Sequence, residues 1–190
     1  MFILILGLLI FLGIHVLKLV APDRRNELAA RYGEGPYKGI YSLISAIGLI
    51  LVIWGFARAS ADPVVVYAPP AGLRSITALL MPFALILAIA SVLPTGRIKR
   101  AVRDPLMIGT LIFAIAHLLA NGDLAGLVLF GALLVWAAID LTAQPAGRPA
   151  PVLANSSLTS DLAAVVGGLV LYALLVWRLH YWLIGVSPLG

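Results

Sequence analysis

The chain has 190 residues, 62% of them hydrophobic and 11% charged, with a mean hydropathy of +1.08. A single soluble core cannot hide that much apolar surface, so the composition excludes an ordinary soluble domain and indicates an integral membrane protein whose first partner is the lipid bilayer. There is no cysteine, which removes disulfides, thiolate metal sites, iron–sulfur clusters and thiol nucleophiles; the net charge of +5 sits in short loops beside apolar segments, where it sets orientation and does not indicate nucleic acid.

Apolar segments fall at about 2–20, 39–57, 75–93, 105–120, 124–141 and 162–184. Each approaches the roughly 17–25 residues that a helix needs to cross hydrocarbon, the fourth being the shortest. The expected fold is all-α, a polytopic membrane helix bundle of six transmembrane helices forming one domain over 1–190; strands are disfavoured because the runs lack polar alternation. The first segment has no basic residues before it and no small-residue cleavage site before Pro22, and its positive charges follow it, as in a retained helix. After it, PDRRNELAARYGEGPYK predicts a short surface helix from Asp23 to Tyr32, with Glu27 and Arg31 four apart, Gly33 as its stop and basic residues facing anionic headgroups.

In the second segment Ser42, Ser45 and Gly48 share one side and read as a packing surface. The stretch ASADPVVVYAPPAG reads as an irregular surface segment without chemistry of its own. Asp104 followed by Pro105 predicts the start of the fourth helix; Asn121-Gly122 predicts its end, and Asp123 the cap of the next. Asp140 closes the fifth helix, where its charge opposes the helix dipole unless a cation compensates, so an ion pair with one of Arg97, Lys99, Arg100 or Arg103 is expected. The polar stretch TAQPAGRPAPVLANSSLTS is the longest and the expected mobile loop, with Ser160 or Asp161 capping the last helix. Gly167 and Gly168 in that helix read as packing positions.

The first, third and fifth connections carry Lys18, Arg24, Arg25, Arg31, Lys38, Arg97, Lys99, Arg100, Arg103 and Arg148, ten of the thirteen basic residues. Arg58, Arg74 and Arg178 lie on the other side. By the positive-inside rule these three loops are cytoplasmic and both termini are outside. No internal repeat is visible, which argues against the duplicated architecture of many secondary transporters.

Ionisable side chains at membrane depth are functional candidates. His117 lies in an apolar span with Thr110, Phe113, Ala114 and Asn121 on its face; His15 lies a little over one turn before the end of helix 1, with Lys18 three residues on. Each can be read as a ligand or as a histidine hydrogen-bonded between helices. Two intramembrane imidazoles without cysteine are compatible with a b-type haem, although at about 1.5 Å per residue His15 and His117 differ in depth by on the order of 10 Å. His180, beside Arg178, Trp177, Tyr181 and Trp182, reads as interface anchoring. No phosphate loop, Gly-x-Ser-x-Gly, His-Glu-x-x-His or intramembrane carboxylate pair occurs, so hydrolytic chemistry is disfavoured and no catalytic residue is assigned.

His15, the run RRNELAARYGEGPYKGIYSLISAIGLILVIWGF and the later RDPLMIGTLIFAIAHLLANGDLAGLVLFG resemble the NnrU family of bacterial membrane proteins, which is related to the 15-cis-zeta-carotene isomerase of plants. The resemblance covers essentially the whole chain. It implies a six-helix, multi-pass protein of the bacterial inner (cytoplasmic) membrane that supports nitrite and nitric oxide metabolism in denitrification, alongside respiratory nitrogen-oxide reductases. The isomerase branch holds haem b through ligands that resemble His15 and His117 in position, so the resemblance implies these two as the cofactor-binding residues on the haem iron. Two positions depart from the pattern. Asp104 stands where the family writes histidine in Arg-His-Pro, and Ala114 stands where the isomerase has a cysteine three residues before the histidine, so ligand exchange to sulfur is not available here. The leading expectation is therefore the NnrU role, with haem-dependent cis-trans isomerisation of a carotenoid-like polyene, or a non-catalytic assembly factor or small transporter, as alternatives; whether the chain is an enzyme stays open.

Overall fold

A computed structural model describes residues 1–102, 104–143 and 157–188. The side chain of Lys18, the residues Arg103 and Arg148, and most of the expected mobile loop lie outside the described residues. Among the described residues the elements are helical, and the chain divides into two compact units, Met1–Val64 and Val65–Gly190.

The first unit contains α1 (Phe2–Val20), α2 (Pro22–Tyr32) and α3 (Glu34–Ser60). Pro22 has no N–H to give the preceding turn and suits the first position of a new helix, so α1 stops and α2 starts there, bent by 86°. Gly33, at φ 87°, makes the second corner in a region that residues with a Cβ adopt only under strain. The helix expected from residue 39 begins five residues earlier, because the Glu34–Lys38 pair at 2.6 Å stabilises a first polar turn ahead of the apolar run. Helices α1 and α3 meet backbone to backbone: a Cβ at Gly7, Gly48 or Gly55 would fall 2.6, 2.7 or 2.4 Å from the backbone nitrogen of Val52, Phe11 or Leu4. Gly48 is thus the packing position expected, and Leu4 is fully buried.

The second unit contains α4 (Ala71–Val92), α5 (Arg97–Val102), α6 (Pro105–Ala120), α7 (Leu124–Ala143), α8 (Leu158–Leu174), a π-helical turn (Leu175–Leu179) and α9 (His180–Ile184). Helix α4 packs on both α6 and α8, and α6 on α7. A Cβ at Gly109 would lie 2.9 Å from the Ala84 carbonyl, and one at Gly168 2.7 Å from the Ile86 backbone, so small residues again set the spacing. Pro82 interrupts α4 and leaves the Ala78 carbonyl without its usual i+4 donor; the Tyr172 hydroxyl of α8 donates to it at 3.0 Å.

The expected caps hold in part. Asp104 accepts from the Met107 N–H at 3.1 Å, with Pro105 at the first position of α6, and Asp123 accepts from the Gly126 N–H at 2.8 Å. The cap of α8 is Ser157, which accepts from the Ser160 N–H at 3.2 Å, and not Ser160 or Asp161. Asp161 points away from its own helix end and accepts from the N–H groups of Arg97 and Ile98 at 2.9 and 3.1 Å. It thereby holds the start of α5, a helix that the sequence reading did not anticipate.

Among the described residues four helices are long and apolar enough to cross a membrane: Glu34–Ser60, Ala71–Val92, Leu124–Ala143 and Leu158–Ile184. Counting the bent pair of α1 and α2 makes five. Helix α6 has 16 residues, roughly 24 Å at 1.5 Å per residue against a hydrocarbon thickness of about 30 Å, which is why it falls short by length alone. The chain is a helical membrane protein.

Candidate functional site

His117 sits in the last turn of α6, and its surroundings follow from how that helix ends. The final four carbonyls of a helix lack intrahelical donors and need others. The Asn121 backbone N–H and side-chain amide both donate to the His117 carbonyl, at 2.9 and 2.8 Å. The Tyr67 hydroxyl donates to the Leu118 carbonyl. On the other side of His117, Thr77 of α4 donates to the Ala116 carbonyl at 2.6 Å. Three consecutive peptide carbonyls centred on His117 therefore receive side-chain hydrogen bonds from three separate segments.

Tyr67 belongs to the stretch read from sequence as a surface segment without chemistry. The segment is irregular and mostly exposed, as expected, and its residues 65–70 form a strap across the turn after α6: the N–H groups of Val66 and Tyr67 donate to the Gly122 carbonyl at 2.8 and 3.0 Å, and Val65 bridges Asp123. Gly122 has no positive φ. It is glycine because a Cβ there would lie 1.8 Å from the Tyr67 carbonyl. The turn reading at Asn121-Gly122 was right, and the reason is the strap.

The imidazole of His117 is half-buried and lies between two phenylalanines, with ring centroids 4.2 Å from Phe113 and 4.5 Å from Phe130 of α7. Its Nδ1 is 2.9 Å from the Phe113 carbonyl. A carbonyl only accepts, so the proton is on Nδ1 and the neutral ring carries its lone pair on Nε2.

His15, in the first unit, has the same local construction. Its Nδ1 donates to the Phe11 carbonyl four residues back at 2.6 Å, its ring centroid is 4.4 Å from that of Phe11, and Tyr41 of α3 meets it edge-on at 5.4 Å. Both histidines thus stand in Phe-x-x-x-His, tied to the carbonyl of their own phenylalanine and touched by one aromatic from the following long helix. The spacing was visible in FLGIH and FAIAH, although the sequence reading used it only for Phe113. His15 belongs to the first unit and His117 to the second.

His180 follows the π-helical turn, is half-buried, and donates from Nδ1 to the Val186 carbonyl at 2.7 Å. It lies within electrostatic range of His117. Asp140, at 1% exposure, is one of the two largest fully buried side chains, with Trp136 buried one turn before it. Of the cations expected to neutralise it, Lys99 gives its ammonium to the carbonyls of Ser91 and Leu93 at 2.7 and 3.0 Å, and Arg103 lies outside the described residues.

Among the described residues no three His, Cys, Asp or Glu side chains gather to hold a bare metal ion. A macrocycle that brings four of the iron's ligands itself asks for less. Imidazoles tied through Nδ1–H with the lone pair on Nε2 are the donors that haem iron takes, and the carbonyl bond is the outer contact that fixes the tautomer. The donor set therefore fits the group. An apolar cavity of about 110 Å³ between α4 and α6, bounded by Ala84, Leu85, Gly109 and Phe113 among others, is far below the roughly 300–1,000 Å³ of cofactor sites and does not hold it.

No curated protein and no solved structure matches the chain. The model of the family described as NnrU protein matches residues 3–188, nearly its full length, and so this helical membrane protein with its two Phe-x-x-x-His histidines belongs to the NnrU family.

Proposed function

We propose that the protein is a multi-pass haem b protein of the bacterial inner membrane, with six crossings, that supports nitrite and nitric oxide metabolism in denitrification beside the respiratory nitrogen-oxide reductases, and that His15 and His117 are its imidazole ligands. The observation that carries this reading is the matched environment of the two histidines: Nδ1 donating to the i−4 carbonyl, a phenylalanine packed at a tilt against the ring, and a second aromatic from the next long helix. A histidine that merely joined two helices would donate from Nδ1 across to the neighbour, whereas these two spend Nδ1–H on their own helix. When bound, the haem would supply one-electron chemistry. The protein would fix the imidazole orientation, through the carbonyl bonds and, at His117, through Thr77, Asn121 and Tyr67.

The visible spectrum of the purified protein tests this. A low-spin haem spectrum is expected, converted or lost in His15→Ala and in His117→Ala and unchanged in His180→Ala, whose Nδ1 serves the C-terminal segment instead. A colourless protein from haem-replete cells overturns the cofactor.

A further inference from the structure

The first unit holds a ladder of rings with one cation at its end. Arg25 of α2 lies over the Tyr37 ring, 5.7 Å from its centroid. Tyr37 is 6.4 Å from Tyr41, one turn further along α3, and Tyr41 is 5.4 Å from His15. The ladder runs from α2, which buries no side chain, to an imidazole five residues inside the end of α1. A charge stands at one end, apolar ring faces lie between, and a nitrogen ligand stands at the other.

Two neighbouring cations are already occupied. Arg24 is paired with Glu27 at 3.8 Å, and Lys38 with Glu34 at 2.6 Å. Arg25 donates to the neutral amide of Asn26 at 3.0 Å and, among the described residues, has no carboxylate within salt-bridge distance; Glu34, within its electrostatic reach, is held by Lys38. A guanidinium has five N–H donors in a fork that matches a carboxylate, so most of its capacity is unspent. The cation–π contact with Tyr37 biases where the fork lies.

We propose that Arg25, braced on Tyr37, binds a propionate carboxylate of the haem held at His15. This rests on the haem reading above. Haem b is an amphiphile with its two carboxylates on one edge and hydrocarbon on the others, so at the end of a membrane helix the carboxylate edge faces the surface and takes a cation there. Tyr41 and Tyr37 lie between that cation and the imidazole, as ring faces for the macrocycle's apolar side.

The test is a Soret titration of the full-length protein, purified from haem-depleted cells, with haem and with haem dimethyl ester, which lacks the two negative charges. Wild type is expected to bind haem on the order of tenfold more tightly than the ester, the worth of one charge-assisted pair. R25Q should weaken haem by that factor and leave the ester unchanged; R25K, which keeps the charge without the fork, should fall between; R24Q should match wild type. R25Q and R25K weakening both forms equally would mean that Arg25 only supports the fold, and no weakening of haem would mean that it does not touch the guest; either overturns the inference. If R25Q instead loses co-purifying anionic phospholipid while haem binding stays intact, the guanidinium serves a lipid phosphate and the inference also fails. A wild type that binds neither form overturns the haem reading itself.

Discussion

Gly122 and Gly33 are glycines for different reasons, and the difference predicts how each tolerates change. Gly33 turns the chain at φ 87° with open space beyond its Pro36 contact. Gly122 has an ordinary backbone and no room, since the Tyr67 carbonyl would lie 1.8 Å from a Cβ. Gly122→Ala should therefore push the strap off the turn, at a cost of about 1–3 kcal/mol from overpacking, and lower the thermal midpoint in detergent; an unchanged midpoint would show that the strap does not constrain the turn. Asp104 makes the opposite kind of claim. Its Oδ1 caps α6 by accepting one N–H, a role that an amide oxygen also fills, so Asp104→Asn should be nearly silent and Asp104→Ala should cost about 0.5–2 kcal/mol in the same measurement. Caps of this kind were legible because Asp-Pro and Asn-Gly-Asp act within one turn of chain. The hydroxyl of Tyr67 was not, because its partner is 51 residues away and no local spacing announces it.

At the level of elements, the sequence fixes where apolar helices lie better than what their polar atoms do. Pro82 shows why: its presence inside an apolar run was plain, but the carbonyl that it orphans is satisfied from α8, and only the packed unit supplies Tyr172. Within hydrocarbon an unpaired carbonyl has no water to turn to. Tyr172→Phe should thus cost about 0.6–1.7 kcal/mol, the range found for hydrogen bonds between membrane helices. Pro82→Ala restores an N–H for the Ala78 carbonyl, so Tyr172→Phe should cost less in that background, and the non-additivity of the double-mutant cycle in thermal unfolding measures the link. Additive losses would mean that the tyrosine contributes only packing. The same reason explains the missed helix α5. Its six residues carry no periodic signal of their own and are held by a carboxylate more than sixty residues later in the chain.

For the whole molecule the open quantity is the number of crossings, and it turns on α6. Its 16 residues are short by count, but its ends are tied to those of a helix that is long enough. The strap that leads into α4 is hydrogen-bonded to the turn that follows α6 through Val66, Tyr67 and Gly122, and the other end of α4 connects through α5 to the start of α6. Helices α4 and α6 thus run between the same two levels, and α4, at 22 residues, spans roughly 33 Å at 1.5 Å per residue. A crossing by α6 would make the total six, and with the ten-to-three bias of basic residues both termini are then expected outside. Reporter fusions after Gly33 and after Gly96 should both give cytoplasmic signals, since either crossing number leaves those loops inside. A fusion at the C-terminus separates the two cases: with α6 crossing, it is periplasmic; with α6 entering and returning, α7 and α8 reverse and it becomes cytoplasmic. A periplasmic signal is expected there, and a cytoplasmic one would reduce the crossings to five and place His117 in a re-entrant hairpin.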